Sequence, residues 1–108
     1  MLLRRMVSSL TPDTIVVVHD VPRTIFRAVT AKGMELGHLE YRLVENPKKK
    51  SVDFYHTFTR PEAQGKGVAA KLVEAGLKWA VDEKMDIIAS CSYVAAYMKK
   101  NPKYHSSL

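Results

Sequence analysis

This 108-residue chain contains a single cysteine, Cys91, and only five glycines. One cysteine excludes an internal disulfide framework and a multi-cysteine zinc site. It also points to a reducing, intracellular setting, with the cytoplasm as the expectation. No apolar run approaches the length of a membrane span, so no membrane partner is expected. Internal repeats and low-complexity segments are absent too, which excludes solenoid and linker architectures. Acids are outnumbered, 11 against 17 bases, for a net charge of +6. That balance favours phosphate-bearing partners without choosing among them. Much of the excess lies in "NPKKKS" and "MKKNPK", which read as solvated loops and ends. The start, "MLLRRMVSSL", has two arginines and no acid, in the manner of an organelle presequence, so organelle targeting is the alternative location.

What remains is enough for one ordinary domain. Hydrophobic residues make up 46% and charged residues 26% of the chain, which supports a packed core. Residues 1–13 read as an N-terminal extension and 14–108 as the domain. "TIVVVHD" and "TIFRAVT" are β-branched strands joined by a turn at "VPR". From Met34 to Val44, Leu39, Tyr41 and Leu43 alternate with polar residues, a third strand with one buried face. "SVDFYHTFT" follows, with Val52, Phe54, His56 and Phe58 expected on one face. Pro61 ends that strand. From Gly67 to Lys84 a helical stripe of Val68, Leu72, Ala75 and Trp79, with the row Ala69, Val73, Gly76 and Ala80 beside it, opposes Lys71, Glu74, Lys78 and Asp82, with a Glu74–Lys78 ion pair expected. "MDIIASCS" is a short strand and "YVAAYMKK" a second helix stopped by Asn101 and Pro102. The fold class expected is therefore α+β: an antiparallel meander, then a right-handed β-α-β crossover, then a short C-terminal helix.

Two of the five glycines stand one residue apart in "QGKGVAA", where strand gives way to helix. A P-loop would need Ser or Thr after Gly-Lys to hold magnesium, and Gly67 follows instead. Gly65 to Ala70 does satisfy the dinucleotide pattern Gly-x-Gly-x-x-Ala. That motif also needs an acid at the end of the next strand, where Cys91 stands, and one crossover cannot make a doubly wound sheet. Read as Gln64-x-x-Gly67-x-Ala69, the window resembles the pyrophosphate loop of the GNAT superfamily of acetyl-CoA-dependent N-acyltransferases. "HTF" before it and "CSYVAAYMKKNP" after the helix are similar to the minimal, single-domain members of that superfamily. The physical account agrees: the first N–H groups of a helix lack intrahelical acceptors, and a pyrophosphate supplies them. Glycines let the main chain approach the phosphate oxygens and adopt positive φ.

The resemblance implies acetyl-CoA as co-substrate, an amine as acceptor (a protein lysine or a small amine), and no metal. It places the pyrophosphate on Gln64, Gly65, Lys66, Gly67, Val68, Ala69 and Ala70, and the pantetheine arm beside Phe58 and Thr59. Acyl transfer needs a neutral amine, so a base is sought, and His56 is the candidate with Glu40 behind it. The superfamily commonly takes its acid from the helix after the fifth strand, which singles out Tyr97, with Tyr93 as the alternative. Cys91 ends the fifth strand beside the expected thioester, as acyl acceptor, proton donor or lining. Direct attack in a ternary complex is the expected mechanism. A CoA-binding module without catalysis is the alternative function. A nucleic-acid binder fits less well, because no aromatic-basic strand pattern is present and the glycine turn goes unexplained.

Overall fold

The structure, a computed structural model, describes residues 14–45 and 47–104. The expected N-terminal extension and the terminal Ser-Ser-Leu lie outside the described residues. The order is β1 (Ile15–Asp20), β2 (Ile25–Thr30), β3 (Glu35–Glu45), β4 (Lys50–Thr59), a 3-10 turn (Pro61–Ala63), α1 (Val68–Asp82), β5 (Asp86–Ala89) and α2 (Ser92–Lys100). The five strands form one sheet in sequence order. The first four run antiparallel, and β5 lies parallel to β4 as the crossover through α1 requires. No helix among the described residues is long and apolar enough to cross a membrane.

One core lies between the sheet and the helices. Phe26, Leu39, Tyr41, Val52 and Phe54 of the sheet meet Leu72, Val73, Leu77 and Ala80 of α1 and Val94 and Met98 of α2. The buried stripe of α1 is rotated from the periodic expectation. Leu77, on neither expected row, is fully buried, while Trp79 is only partly covered. Gly76 sets this rotation. A Cβ there would lie 2.8 Å from Leu39 Cδ2 and 2.9 Å from Phe54 Cε1, so the helix backbone rests directly on the sheet. The helix ends with the Met85 N–H donating to the Ala80 carbonyl and with Lys84 left-handed at φ 56°, a Schellman-type stop without the usual glycine.

The decisive irregularity is in β4. Glu40 pairs with His56, yet Tyr41 pairs with Phe54, so Tyr55 is an extra residue, a β-bulge. Side-chain alternation inverts across it. Val52 and Phe54 face the core, but beyond the bulge Thr57 takes that side, opposite Leu39. The expectation that His56 and Phe58 share the face of Val52 and Phe54 is thereby corrected. Both stand on the outer face, paired with Glu40 and His38, and Phe58 is 45% exposed. Leu43, expected inside, is also exposed, although its partner Val52 is buried. Among the described residues no helix covers this outer face.

Candidate active site

The glycine turn forms the mouth of α1. Gly65 and Gly67 have φ of 82° and 75°, a region that L side chains rarely adopt. A Cβ on either would meet no atom of the described residues within 4 Å, so among these both open onto free space. Gly67 caps the helix without a side-chain hydrogen bond, and no acid occupies the first turn. The first helical bond is the Lys71 N–H to the Gly67 carbonyl. The N–H groups of Val68, Ala69 and Ala70 therefore lack intrahelical acceptors at the positive end of the helix dipole.

A pocket of about 320 Å³ faces these groups. Of the sequence's cofactor candidates, Thr59, Gln64, Gly65, Gly67, Val68, Ala69 and Ala70 line it, joined by Ala63 and Tyr93. Phe58 and Lys66 do not. Phe58 is turned outward by the bulge, and Lys66 lines a separate concavity with Lys71 and Glu62 on the far side of the turn.

Beside the pocket the sheet parts. The pairing of β4 with β5 ends at Phe54 and Ala89, after which β5 stops and β4 continues to Thr59. From Tyr55 to Thr59 one edge of β4 has no strand partner among the described residues, a template for an added extended chain. Two contacts fasten the fork. The Cys91 N–H donates to the Phe54 carbonyl at 3.0 Å, and the Ser90 N–H donates to Asp53 Oδ1 at 3.3 Å. Asp53 is 4% exposed and is held in turn by Arg42, whose Nη2 lies 3.0 Å from Oδ2. Sequence reasoning missed Asp53. A lone acid in an apolar strand was the available signal, since a buried carboxylate needs donors to hold it.

Cys91 sits at this fork, partly buried, with Sγ 3.7 Å from Thr57 Oγ1. Gly37 lets β3 approach the same end of β4, since a Cβ there would clash with the Phe58 carbonyl and lie 3.2 Å from Thr59 Cα. The two tyrosines of α2 are placed differently. Tyr93 lines the pocket. The Tyr97 hydroxyl donates to Glu74 Oε2 at 3.1 Å, bridging α2 to α1. Desolvation and then this bond push the Tyr97 hydroxyl above the usual phenol range. Glu74 also meets Lys78 at 3.5 Å, the pair expected from spacing. Its carboxyl is held low by the Tyr97 hydroxyl first and Lys78 second. His56 and Glu40 stand together on the outer face, apart from the pocket's lining.

A turn of this geometry at the fork of such a sheet invites comparison with known proteins. The model of the GCN5-related N-acetyl-transferase family matches residues 25–108. The chain belongs to that family. Among solved structures, a GCN5-like protein from Staphylococcus aureus is 26% identical with a TM-score of 0.61, over 88% of this chain and 86% of that one. A ribosomal-protein-alanine N-acetyltransferase from Brucella melitensis biovar Abortus 2308 shares the fold, with a TM-score of 0.54 at 14% identity, over 82% of this chain and 67% of that one. Protein NATD1 of Xenopus tropicalis and of Homo sapiens are each 35% identical over 60 residues, 56% of this chain and 55% and 53% of theirs. The chain spans about half the length of the curated relatives it matches.

Proposed function

We propose that the protein uses acetyl-CoA and passes the acetyl group directly to an amine, a protein lysine or a small amine, within a ternary complex. One observation carries this. The pocket of uncapped helix N–H groups adjoins the unpaired edge of β4, at the fork where Cys91 stands. The pyrophosphate of CoA would take the N–H groups of Val68 to Ala70 as its donors. The amides of the pantetheine arm would pair with the free β4 edge, bringing the thioester to the fork.

The amine nitrogen attacks the thioester carbonyl carbon, a C–N bond forms, and the C–S bond breaks with its electron pair leaving on sulfur. The surplus amine proton passes to water at the open rim. The thiolate takes a proton from Tyr93, which lines the pocket, while the hydroxyl proton of Tyr97 is engaged by Glu74. Cys91 lines the acyl site without carrying the acyl group, because an obligatory intermediate needs a dedicated base beside the thiol, and the Thr57 hydroxyl that its sulfur meets at 3.7 Å is no such base.

Initial rates with varied acetyl-CoA and amine are expected to give intersecting double-reciprocal lines, with Cys91→Ser retaining most of the turnover. Parallel lines together with a kinetically competent acetyl-Cys91 in rapid-quench mass spectrometry would replace direct attack by a ping-pong mechanism. Tight CoA binding with no transfer to any amine panel would leave a binding module.

A further inference from the structure

The outer face of the sheet carries a cluster that lies outside the lining of the glycine pocket. His38, Glu40 and His56 meet there across β3 and β4, with one nitrogen or oxygen of each within 4.8 Å of the others. His38 Nε2 lies 3.4 Å, and His56 Nε2 3.8 Å, from the same Glu40 Oε2. The second ring nitrogen of His38, Nδ1, lies 3.3 Å from Glu35 Oε2. The bulge at Tyr55 creates the arrangement by turning His56 outward, opposite Glu40.

We propose that His38, Glu40 and His56 bind a divalent zinc-class ion through the two Nε2 atoms and the Glu40 carboxylate, with water in the fourth position. The donor set is two imidazoles and one carboxylate, which suits zinc, copper or nickel and not magnesium or calcium. The spacing fits as well. Ligand atoms about 2.05 Å from a tetrahedral ion lie about 3.3 Å from one another, which the 3.4 Å separation meets and which a small turn of the exposed His56 ring would bring the 3.8 Å separation to. At 3.8 Å the His56 Nε2–Glu40 contact is outside hydrogen-bond range, so a plain His-Glu-His hydrogen-bonded triad does not account for the whole cluster.

The surroundings also resemble those of a ligating histidine. Glu35 on Nδ1 leaves Nε2 of His38 as the free donor and fixes the ring plane. Phe58 packs against the same ring at a centroid distance of 5.5 Å. The side chains of His38, Glu40 and His56 are 25%, 31% and 53% exposed, so an ion can enter and keep a water. The site lies on the opposite side of the sheet from the glycine pocket.

The test is calorimetric titration of the full chain with zinc, in a Cys91→Ser background that removes the lone thiol as a competing ligand. One ion per chain is expected, with no comparable heat from magnesium. His38→Asn and His56→Asn should each weaken zinc at least tenfold, and Glu35→Gln roughly tenfold through loss of ring orientation. Nitrogen-15 spectra of the histidine rings should show zinc shifting Nε2 of His38 and His56 and leaving His19 unmoved. Absence of one-to-one binding tighter than about 100 μM, a free energy of roughly 5.5 kcal/mol, would overturn the site. So would binding unchanged in the two histidine variants. If those variants lose their fold by circular dichroism, the ring spectrum of the parent chain decides: a zinc shift at both Nε2 atoms upholds the site, and any other pattern refutes it.

Discussion

Replacing Gly67 by Asp and by Asn separates charge from shape at the turn. Both residues tolerate the left-handed conformation better than other side chains, so the φ of 75° strains the two variants alike. Both side chains would enter the open space where a Cβ meets nothing within 4 Å. They differ by one negative charge. With a pyrophosphate of about two charges roughly 5 Å away, and an effective dielectric near 40 for a site this open, the Coulomb repulsion is about 3 kcal/mol. Solvent screening and side-chain rotation widen this to roughly 2 to 4 kcal/mol, or about a 30- to 700-fold difference in affinity. Isothermal titration with CoA should therefore rank parent, Asn and Asp in falling order, with the Asp-to-Asn ratio inside that range. Pantetheine, which has no pyrophosphate, should not distinguish the two variants. Asp and Asn binding CoA within threefold of each other, both folded by circular dichroism, would refute the placement of pyrophosphate at this helix mouth.

Three further outcomes follow from the geometry. Tyr93→Phe should lower the rate constant for turnover with CoA affinity held, and Tyr97→Phe should lower it less; Tyr97→Phe should instead raise the pH at which the Glu74 carboxyl titrates by NMR, since that hydroxyl is the first cause of its depression. His19 stacks on Phe26 at 4.0 Å and lies 2.6 Å from the Tyr41 hydroxyl, and burial lowers its pKa below 6.5 against an opposing pull from Asp20. Its folded pKa lies below the unfolded one, so its stabilising share is present above about pH 6.5 and is lost as pH falls; the thermal midpoint of the parent should drop between pH 7 and 5 more steeply than that of His19→Phe. Lys84→Gly should relieve the left-handed φ of 56° and raise stability by up to about 1 kcal/mol, or about 4 °C in Tm, whereas an unchanged or lower midpoint would count against strain at that cap.

Local pattern was enough to read the element order, the parallel partnership of β4 and β5, and the glycine turn with its uncapped helix. These depend on short-range chemistry: β-branched runs extend, Pro61 ends a strand, and only glycine takes positive φ cheaply at Gly65 and Gly67. The family resemblance rested on the same few residues. Three things needed the tertiary structure. The rotation of α1 depends on Gly76 meeting Leu39 and Phe54, residues more than twenty positions away, and a helical stripe of small residues leaves that angle open. The separate placements of Tyr93 and Tyr97 depend on α2 docking against α1 through Glu74. Above all, the bulge at Tyr55 is a property of the register between β3 and β4 and not of β4 alone. A period-two pattern continues unbroken through "FYHTF", so inspection of that segment puts His56 and Phe58 with the core. Pairing Glu40 with His56 and Tyr41 with Phe54 inserts one extra residue, which turns His56 and Phe58 to the solvent side and Thr57 toward Cys91.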